Sequence, residues 1–358
     1  MKNWPLWKDR LESPNIEGGL RLKGEYKSVE NILISYVTVV RNNEKTLRRT
    51  IESVQQQSYK NIEHIVIDGN STDRTLNIIK EYEDVIDYFA SEPDLGLYDA
   101  LNKAIELTRG HLILVLNSDD WLSKDSALYA ANNFLKNKPQ FIAGTAKVLV
   151  NDGKDIIYWK PQHVTKTSYF TVANLNHNAV YASKEAYELS GPYDISYKIA
   201  ADTKWVLKCY DKGIYFQYTE EVLINFSLGG VSSDIYWHVE ECKRIIKERF
   251  PFLKGDEVVA LNYSYYQWRE GFKYPLIGFN SKDEINKLLV KYEDRIDFIS
   301  AIDLNNDFFT DYIERVDNDK ESVEHVVECN FKEFVKKILF RYPVVYNSIK
   351  KLYNSLRR

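Results

Sequence analysis

Asp119 and Asp120 stand side by side in Asn117-Ser118-Asp119-Asp120, directly after the apolar run His111–Leu116 and before Trp121. Adjacent carboxylates repel each other, and a divalent cation relieves that repulsion. Hard oxygen donors of this kind suit Mg²⁺ or Mn²⁺. A second reading stays open here: either acid also suits the N-terminal cap of a helix starting near Lys124. Three other apolar runs end on polar residues, in Arg41-Asn42, Asp68-Gly69 and Glu92-Pro93-Asp94. Three of these four ends carry aspartate, where a generic turn would take Gly, Ser or Asn as readily.

The runs themselves define the elements that must position these residues. Ile32–Val40 is β-branched and reads as a buried strand. Glu44–Ser58 reads as a helix with Leu47, Ile51 and Val54 on one stripe. The pattern continues with a strand at His64–Asp68, a helix over Thr72–Tyr82, a strand at Asp87–Ser91, a helix over Gly96–Thr108 and a strand at His111–Leu116. This β-α-β-α-β-α-β order predicts right-handed crossovers and a mostly parallel sheet of the α/β class. Ligands of such sheets bind beyond the carboxyl ends of the strands, where the aspartates lie. No G-x-G-x-x-G follows the first strand, which disfavours a dinucleotide site, and Arg41-Asn42-Asn43 is not a glycine-rich phosphate loop.

Downstream the alternation weakens. Phe141–Val150 and Ile156–Lys160 suggest a hairpin turned by Asn151-Asp152-Gly153. A helix over Ala200–Asp211 and a strand at Ile214–Tyr218 follow, and beyond Ser233 the chain reads as helical and aromatic. Pro275–Phe279, Ser281–Tyr292 and Ile296–Ile302 suggest a small strand-helix-strand unit, with Ser281 and Glu284 as a capping box. The expected organisation is a leader over residues 1–30 anchored by Trp4 and Trp7 and loosened by Gly18-Gly19, a catalytic domain over 31–235, a helical or small α/β region over 236–330, and a tail over 331–358.

The 358 residues include 48 basic and 52 acidic ones, a net charge of -4, which argues against a nucleic-acid partner. Three cysteines without a CxxC pair argue against a disulfide framework or zinc knuckle and suggest a reducing compartment. The longest apolar run is far short of the roughly 20 residues of a membrane span, and Met1–Arg10 lacks a signal-peptide core. A cytoplasmic chain is expected. The tail is different. Its eight basic residues and single acid, Glu333, give it a net +7 and leave -11 on residues 1–330. Interleaved with aromatic and aliphatic residues, this charge suggests attachment to a membrane surface. A helix packed on the protein with its basic face in water is the alternative.

Taken in order, Asn42, the loop Asp68-Gly69-Asn70-Ser71-Thr72-Asp73, the segment from Ser91-Glu92-Pro93-Asp94 to Asn102-Lys103, and Asn117-Ser118-Asp119-Asp120 resemble the glycosyltransferase family 2 pattern on the GT-A fold. The resemblance covers roughly Ile32 to Gly230 and is nearest to bacterial enzymes that build capsule, O-antigen and colanic-acid-type polysaccharides. It implies inverting transfer of a hexosyl or N-acetylhexosaminyl group from a nucleotide-sugar donor, UDP-linked, with Mn²⁺ or Mg²⁺ on the diphosphate. The acceptor would be a glycan hydroxyl, lipid-linked, at the inner face of the cell membrane.

Carried over by position, Thr38, Arg41, Asn42 and Glu44 fall where the family contacts the nucleoside, and Asp68 and Asp94 where it holds base and ribose. Asp120 matches the metal-binding acid, Asp119 helps through water or meets the ribose, and Lys103 would face the diphosphate. His177, in Asn176-His177-Asn178, falls near the metal and phosphates. Asp202, after Ala200-Ala201, falls where the family keeps its catalytic base. Ser227-Leu228-Gly229-Gly230-Val231-Ser232-Ser233 resembles a loop at the mouth of the site. Two departures stand out: Gly69 replaces a second acid after the second strand, and Asn117 replaces the first acid of a strict Asp-x-Asp frame. The alternative function is a noncatalytic nucleotide-sugar-binding or scaffold module.

Overall fold

The computed structural model describes residues 16–150, 155–171, 175–227, 235–270 and 282–302. Trp4, Trp7, the turn at 151–153, the loop at 228–233, Pro275–Phe279, Ser281 and the tail at 331–358 lie outside the described residues. Among the described residues regular structure is already present at Ile16–Gly18 (β1), within the expected leader, and this strand pairs antiparallel with Tyr88–Ser91 (β4). Gly18 and Gly19 fix this strand instead of loosening it. A Cβ on Gly18 would lie 2.4 Å from the Phe89 ring, and Gly19, at φ +105°, packs against the carbonyls of Ile86 and Asp87.

The expected alternation follows. Ile34–Val40 (β2), Ile62–Asp68 (β3), β4 and Leu112–Val115 (β5) are the strands. Their crossovers are the helices Leu47–Gln55 (α1), Thr75–Glu81 (α2) and Leu97–Glu106 (α3). β2 pairs parallel with β3 and β5, and β3 with β4. β2 is buried along its whole length, as a sheet covered on both faces requires. Leu47, Ile51 and Val54 of α1 are buried on the stripe expected of them.

Further on come Trp121–Leu122 (β6), the helix Ser126–Asn137 (α4), and Phe141–Val150 (β7) with Asp155–Trp159 (β8) as an antiparallel pair. Ser168–Thr171 (α5), Val180–Ser183 (β9), Lys184–Ser190 (α6) and Ala201–Asp211 (α7) follow. Phe216–Ser227 (β10) runs far past the expected end at Tyr218, because register shifts on either side of Val222 let the strand continue beyond the exposed Glu220-Glu221. Among the described residues the sheet order is β1-β4-β3-β2-β5-β9-β7-β10-β6, with β8 beside β7. One core cluster gathers Tyr36, Leu114, Ala146, Tyr181 and Ile224, and a second gathers Val40, Ile51, Val66, Ile79 and Phe89.

The chain divides into two compact units, Met1–Phe252 and Leu253–Arg358. The first takes in Ile235–Arg249 (α8), which the sequence reading placed with the C-terminal region. In the second, Gly255–Glu270 (α9), Lys282–Lys291 (α10) and Ile296–Ile299 (α11) are helices. The strand expected at Ile296–Ile302 is therefore a short helical turn, ordered around Phe298, which is buried against Tyr292.

Candidate active site

The loops after β2, β3, β4 and β5 meet at the carboxyl edge of the parallel strands. Asn42 sits at φ +53°, a left-handed conformation that asparagine tolerates. Its N–H donates to Ser71 Oγ at 2.8 Å and its Oδ1 accepts from Thr72 N–H at 2.8 Å. Glu44 accepts from Arg74 N–H at 3.0 Å, while its own N–H donates to Asp73 at 3.2 Å. Asn43 donates to Ser118 Oγ at 2.8 Å, which ties the first loop to the acidic one. Asp68 is wholly buried and accepts from Ser71 N–H at 3.1 Å and Ser91 Oγ at 2.6 Å. Asn42, Glu44 and Asp68 thus knit the loops together.

Arg41 and Asp94 meet at Gly69. A Cβ there would lie 2.4 Å from Asp94 Oδ2 and 3.5 Å from Arg41 Cδ. Glycine at this position makes room for the Asp94 carboxylate, which a second acid in the loop would have to displace. Asp94 is steadied by Gly96 N–H at 2.9 Å. Two expected donor contacts are placed elsewhere. Thr38 is wholly buried, its hydroxyl 2.9 Å from His64 Nε2, so it cannot reach a ligand outside the sheet. Lys103 is held at 2.8 Å by Glu92 and 3.1 Å by Asp99, and also donates to Pro93 O, so its charge is matched within the protein. Burial works against that charge, but the two carboxylates outweigh it and raise its pKa.

The adjacent acids differ sharply. Asp120 is wholly buried, its Oδ1 accepting from Ser227 N–H at 2.8 Å and its Oδ2 from Asn178 Nδ2 at 2.7 Å. Both oxygens carry protein donors, so this side chain anchors β10 and the segment after His177. Asp119 remains partly exposed. Burial raises both carboxyl pKa values, and the charge of Asp119 adds to the shift of Asp120. Arg49 compensates: it donates to Asp119 O at 2.7 Å and lies 3.7 Å from the centre of the Trp121 ring.

Asp202 lies in the first turn of α7. Its Oδ2 is 3.1 Å from His177 Nδ1, and its Oδ1 accepts from Tyr98 OH at 3.1 Å. Its side chain keeps 22% of its surface exposed. Burial, and then the charge of Asp202, push the Tyr98 phenol well above its ordinary pKa, so it stays a donor. Ala200 and Ala201 are buried beside it. Glu241 of α8 fixes the approach, accepting the N–H groups of Lys198, Ile199 and Ala200 at 2.6, 2.9 and 2.8 Å.

With Nδ1–H toward Asp202, the Nε2 of a neutral His177 carries the lone pair. That atom is buried and has no hydrogen-bond partner. His177 and Asp119 are the chain neighbours of the Asn178–Asp120 pair. Among the described residues no three His, Cys, Asp or Glu side chains come together as a cation cage. A carboxylate such as that of Asp119 is a donor that Mg²⁺ or Mn²⁺ takes beside diphosphate and water oxygens, and the unpartnered Nε2 of His177 offers a nitrogen.

Tyr98, Asn178, Ser227, Arg49, Glu241 and His64 are supports that the sequence pattern does not mark. Tyr98, Asn178 and Ser227 lie within segments already singled out. Arg49 and Glu241 carried no signal, because a charged helix residue ordinarily reads as a solvated one.

The family profile described as Glycosyl transferase family 2 matches residues 35–184. An uncharacterized glycosyltransferase of Mycobacterium tuberculosis is 31% identical over 183 residues, 49% of this chain and 68% of that protein. A PGL/p-HBAD biosynthesis glycosyltransferase of Mycobacterium bovis is 23% identical over 209 residues, 57% of this chain and 80% of the relative. Among solved structures, residues 1–349 of Staphylococcus aureus TarS in complex with UDP-GlcNAc match at TM-score 0.53 and 19% identity, over 80% of this chain and 83% of that one. The match to a longer TarS chain covers 50% of it. A mannosyltransferase of Pyrobaculum calidifontis in complex with GDP-Man and Mn²⁺ matches at TM-score 0.50 and 11% identity, over 84% of this chain and 91% of that one. At these identities the structural likeness is one of fold, the mostly parallel α/β sheet of GT-A glycosyltransferases. With the mycobacterial relative and the family profile, it places the chain in glycosyltransferase family 2.

Proposed function

We propose that the protein transfers a sugar, with inversion, from a UDP-linked donor to a hydroxyl of a bacterial surface glycan carried on a lipid. The observation that carries this reading is the Asp202 carboxylate, partly exposed between His177 and Tyr98 and set on the same framework as the Asp119–Asp120 loop. Asp202 removes the proton from the acceptor hydroxyl as that oxygen bonds to the anomeric carbon. The bond from that carbon to the diphosphate breaks, and its electron pair leaves with the nucleoside diphosphate. Arg41 and Asp94 line the nucleoside side of the cleft, with Asn42, Glu44 and Asp68 shaping its loops. Asp119 and the Nε2 of His177 would hold Mn²⁺ or Mg²⁺, with Asp120 behind them. When bound, the cation supplies positive charge to the departing diphosphate. The UDP-GlcNAc and GDP-Man complexes of the structural neighbours support a nucleotide-sugar donor. Residues 31–235 with α8 would form the catalytic part.

Release of nucleoside diphosphate from a panel of nucleotide sugars, with Mn²⁺ and with excess EDTA, tests the reading. Asp202→Asn should lower the rate by roughly 10²–10⁴-fold and leave donor affinity nearly unchanged. Wild-type turnover by this variant, or loss of donor binding instead, would remove Asp202 as the base. Full activity in EDTA would remove the cation.

A further inference from the structure

Four side chains from four strands stand in one row beside the acidic loop. Tyr158 of β8 is the register partner of Lys147 of β7, Lys147 of Asn225 of β10, and Asn225 of Trp121 of β6. Such partners project from the same face of a sheet. At about 4.8 Å per strand the row spans roughly 14 Å. The adjacent row, Trp159, Ala146, Ile224 and Leu122, packs into the core, so the first row faces outward. It floors a groove of about 530 Å³, walled by the end of α1 and by Ser123-Lys124. That volume lies within the roughly 300–1,000 Å³ usual for ligand sites.

The lining has the chemistry of a sugar site. Tyr158, 56% exposed, offers an aromatic face to the C–H side of a pyranose. Gln56 and Asn225 offer amides to hydroxyls. Lys124 and Lys147 bring two positive charges, and among the described residues no carboxylate lines the groove. Trp121 follows Asp120 directly, and Asn225 lies two residues before Ser227, which Asp120 holds. One end of the groove therefore adjoins the acidic loop.

We propose that this groove is a glycan subsite, binding a carboxylate-bearing (uronate-type) stretch of the acceptor some sugars away from the hydroxyl that receives transfer. The proposal rests on the sugar-transfer reading above. Its failure is separable, because donor and glycan are titrated apart. Calorimetry on the full chain at low salt would use hexagalacturonate, chitohexaose and hexathymidylate as probes, with UDP-GlcNAc and UDP-glucose in a parallel arm. Hexagalacturonate should bind saturably and more tightly than the other two. Tyr158→Ala and Lys147→Gln should each weaken it by roughly tenfold, the equivalent of about 1.4 kcal/mol, without changing the melting temperature. No saturable binding of hexagalacturonate, equal binding of chitohexaose or hexathymidylate, or variants that bind as the wild type would overturn the proposal. Donor binding without glycan binding defeats the groove alone, and glycan binding without any donor defeats the transfer reading.

Discussion

Asp119 and Asp120 are neighbours in the chain but differ in environment, and substitution should separate their roles. Asp120→Ala would strand Ser227 N–H and the Asn178 amide. Each buried donor left unpaired costs about 1–3 kcal/mol. The variant should therefore melt several degrees lower, since a fold of this size shifts by roughly 2–4 °C per kcal/mol. Asp119→Ala should keep the wild-type melting temperature and lose donor binding in the presence of Mn²⁺. Calorimetry and a donor titration on both variants decide it, and the reverse pattern would return the cation to Asp120. The position of both acids at a strand end was legible from the sequence, because an apolar run closing on turn residues marks such an end. The burial of Asp120 was not, because its partners lie 58 and 107 residues away. Nor was the enclosure of Thr38: a strand covered on both faces shows no alternation to say which side chain meets a ligand.

At the scale of elements, β2 and β3 are joined through a buried pair that sets an acid limit on stability. His64 is enclosed next to Thr38, and burial holds its pKa down at about 3. The unfolded chain would bind a proton there from its ordinary 6.5 downward. Folding is therefore opposed increasingly as pH falls from 6.5 to about 3, by about 1.4 kcal/mol per pH unit. Asp87, which accepts His64 N–H at 2.8 Å, acts in the opposite sense. Burial raises it from 3.8 to about 6, so in that window the folded chain holds a proton that the unfolded chain releases. The two contributions offset each other between 3.8 and 6. His64→Gln keeps a hydrogen-bonding group for Thr38 and removes the titration. Urea unfolding across this range should show the variant gaining on the wild type as pH falls, and parallel curves would exclude a buried neutral His64. The order of β2 to β5 and the buried stripe of α1 were legible because local periodicity dictates them. β1, β9 and the far half of β10 were not, because pairing across the sheet creates them: β1 exists against β4, and β10 continues past two exposed glutamates only because β7 and β6 flank it.

At the scale of the whole molecule the charge is divided, with -11 on residues 1–330 and +7 on residues 331–358. Among the described residues no helix is long and apolar enough to cross a membrane. The tail is expected to attach the chain to anionic bilayers and so to bring Asp202 toward a lipid-linked acceptor. Each basic residue near such a surface is worth about 1 kcal/mol, and salt weakens the attraction. Phe334, Ile338, Leu339, Tyr342, Ile349, Leu352 and Tyr353 add apolar burial at about 25 cal/mol per Å². Pro343 lacks a backbone N–H, so a helix over this segment would be expected to split there into two short amphipathic pieces, long enough to lie flat in the interface and too short to span it. Sedimentation with phosphatidylglycerol-containing liposomes should pellet the full chain at low salt and release it as salt rises. A chain ending at Asn330 should stay in the supernatant. The remaining net charge of -11 should then oppose any approach to the anionic surface, so loss of binding ought to be nearly complete. Equal pelleting of both chains, or of neither, would place the apolar face of the tail against protein, with its charges in solution and no membrane role.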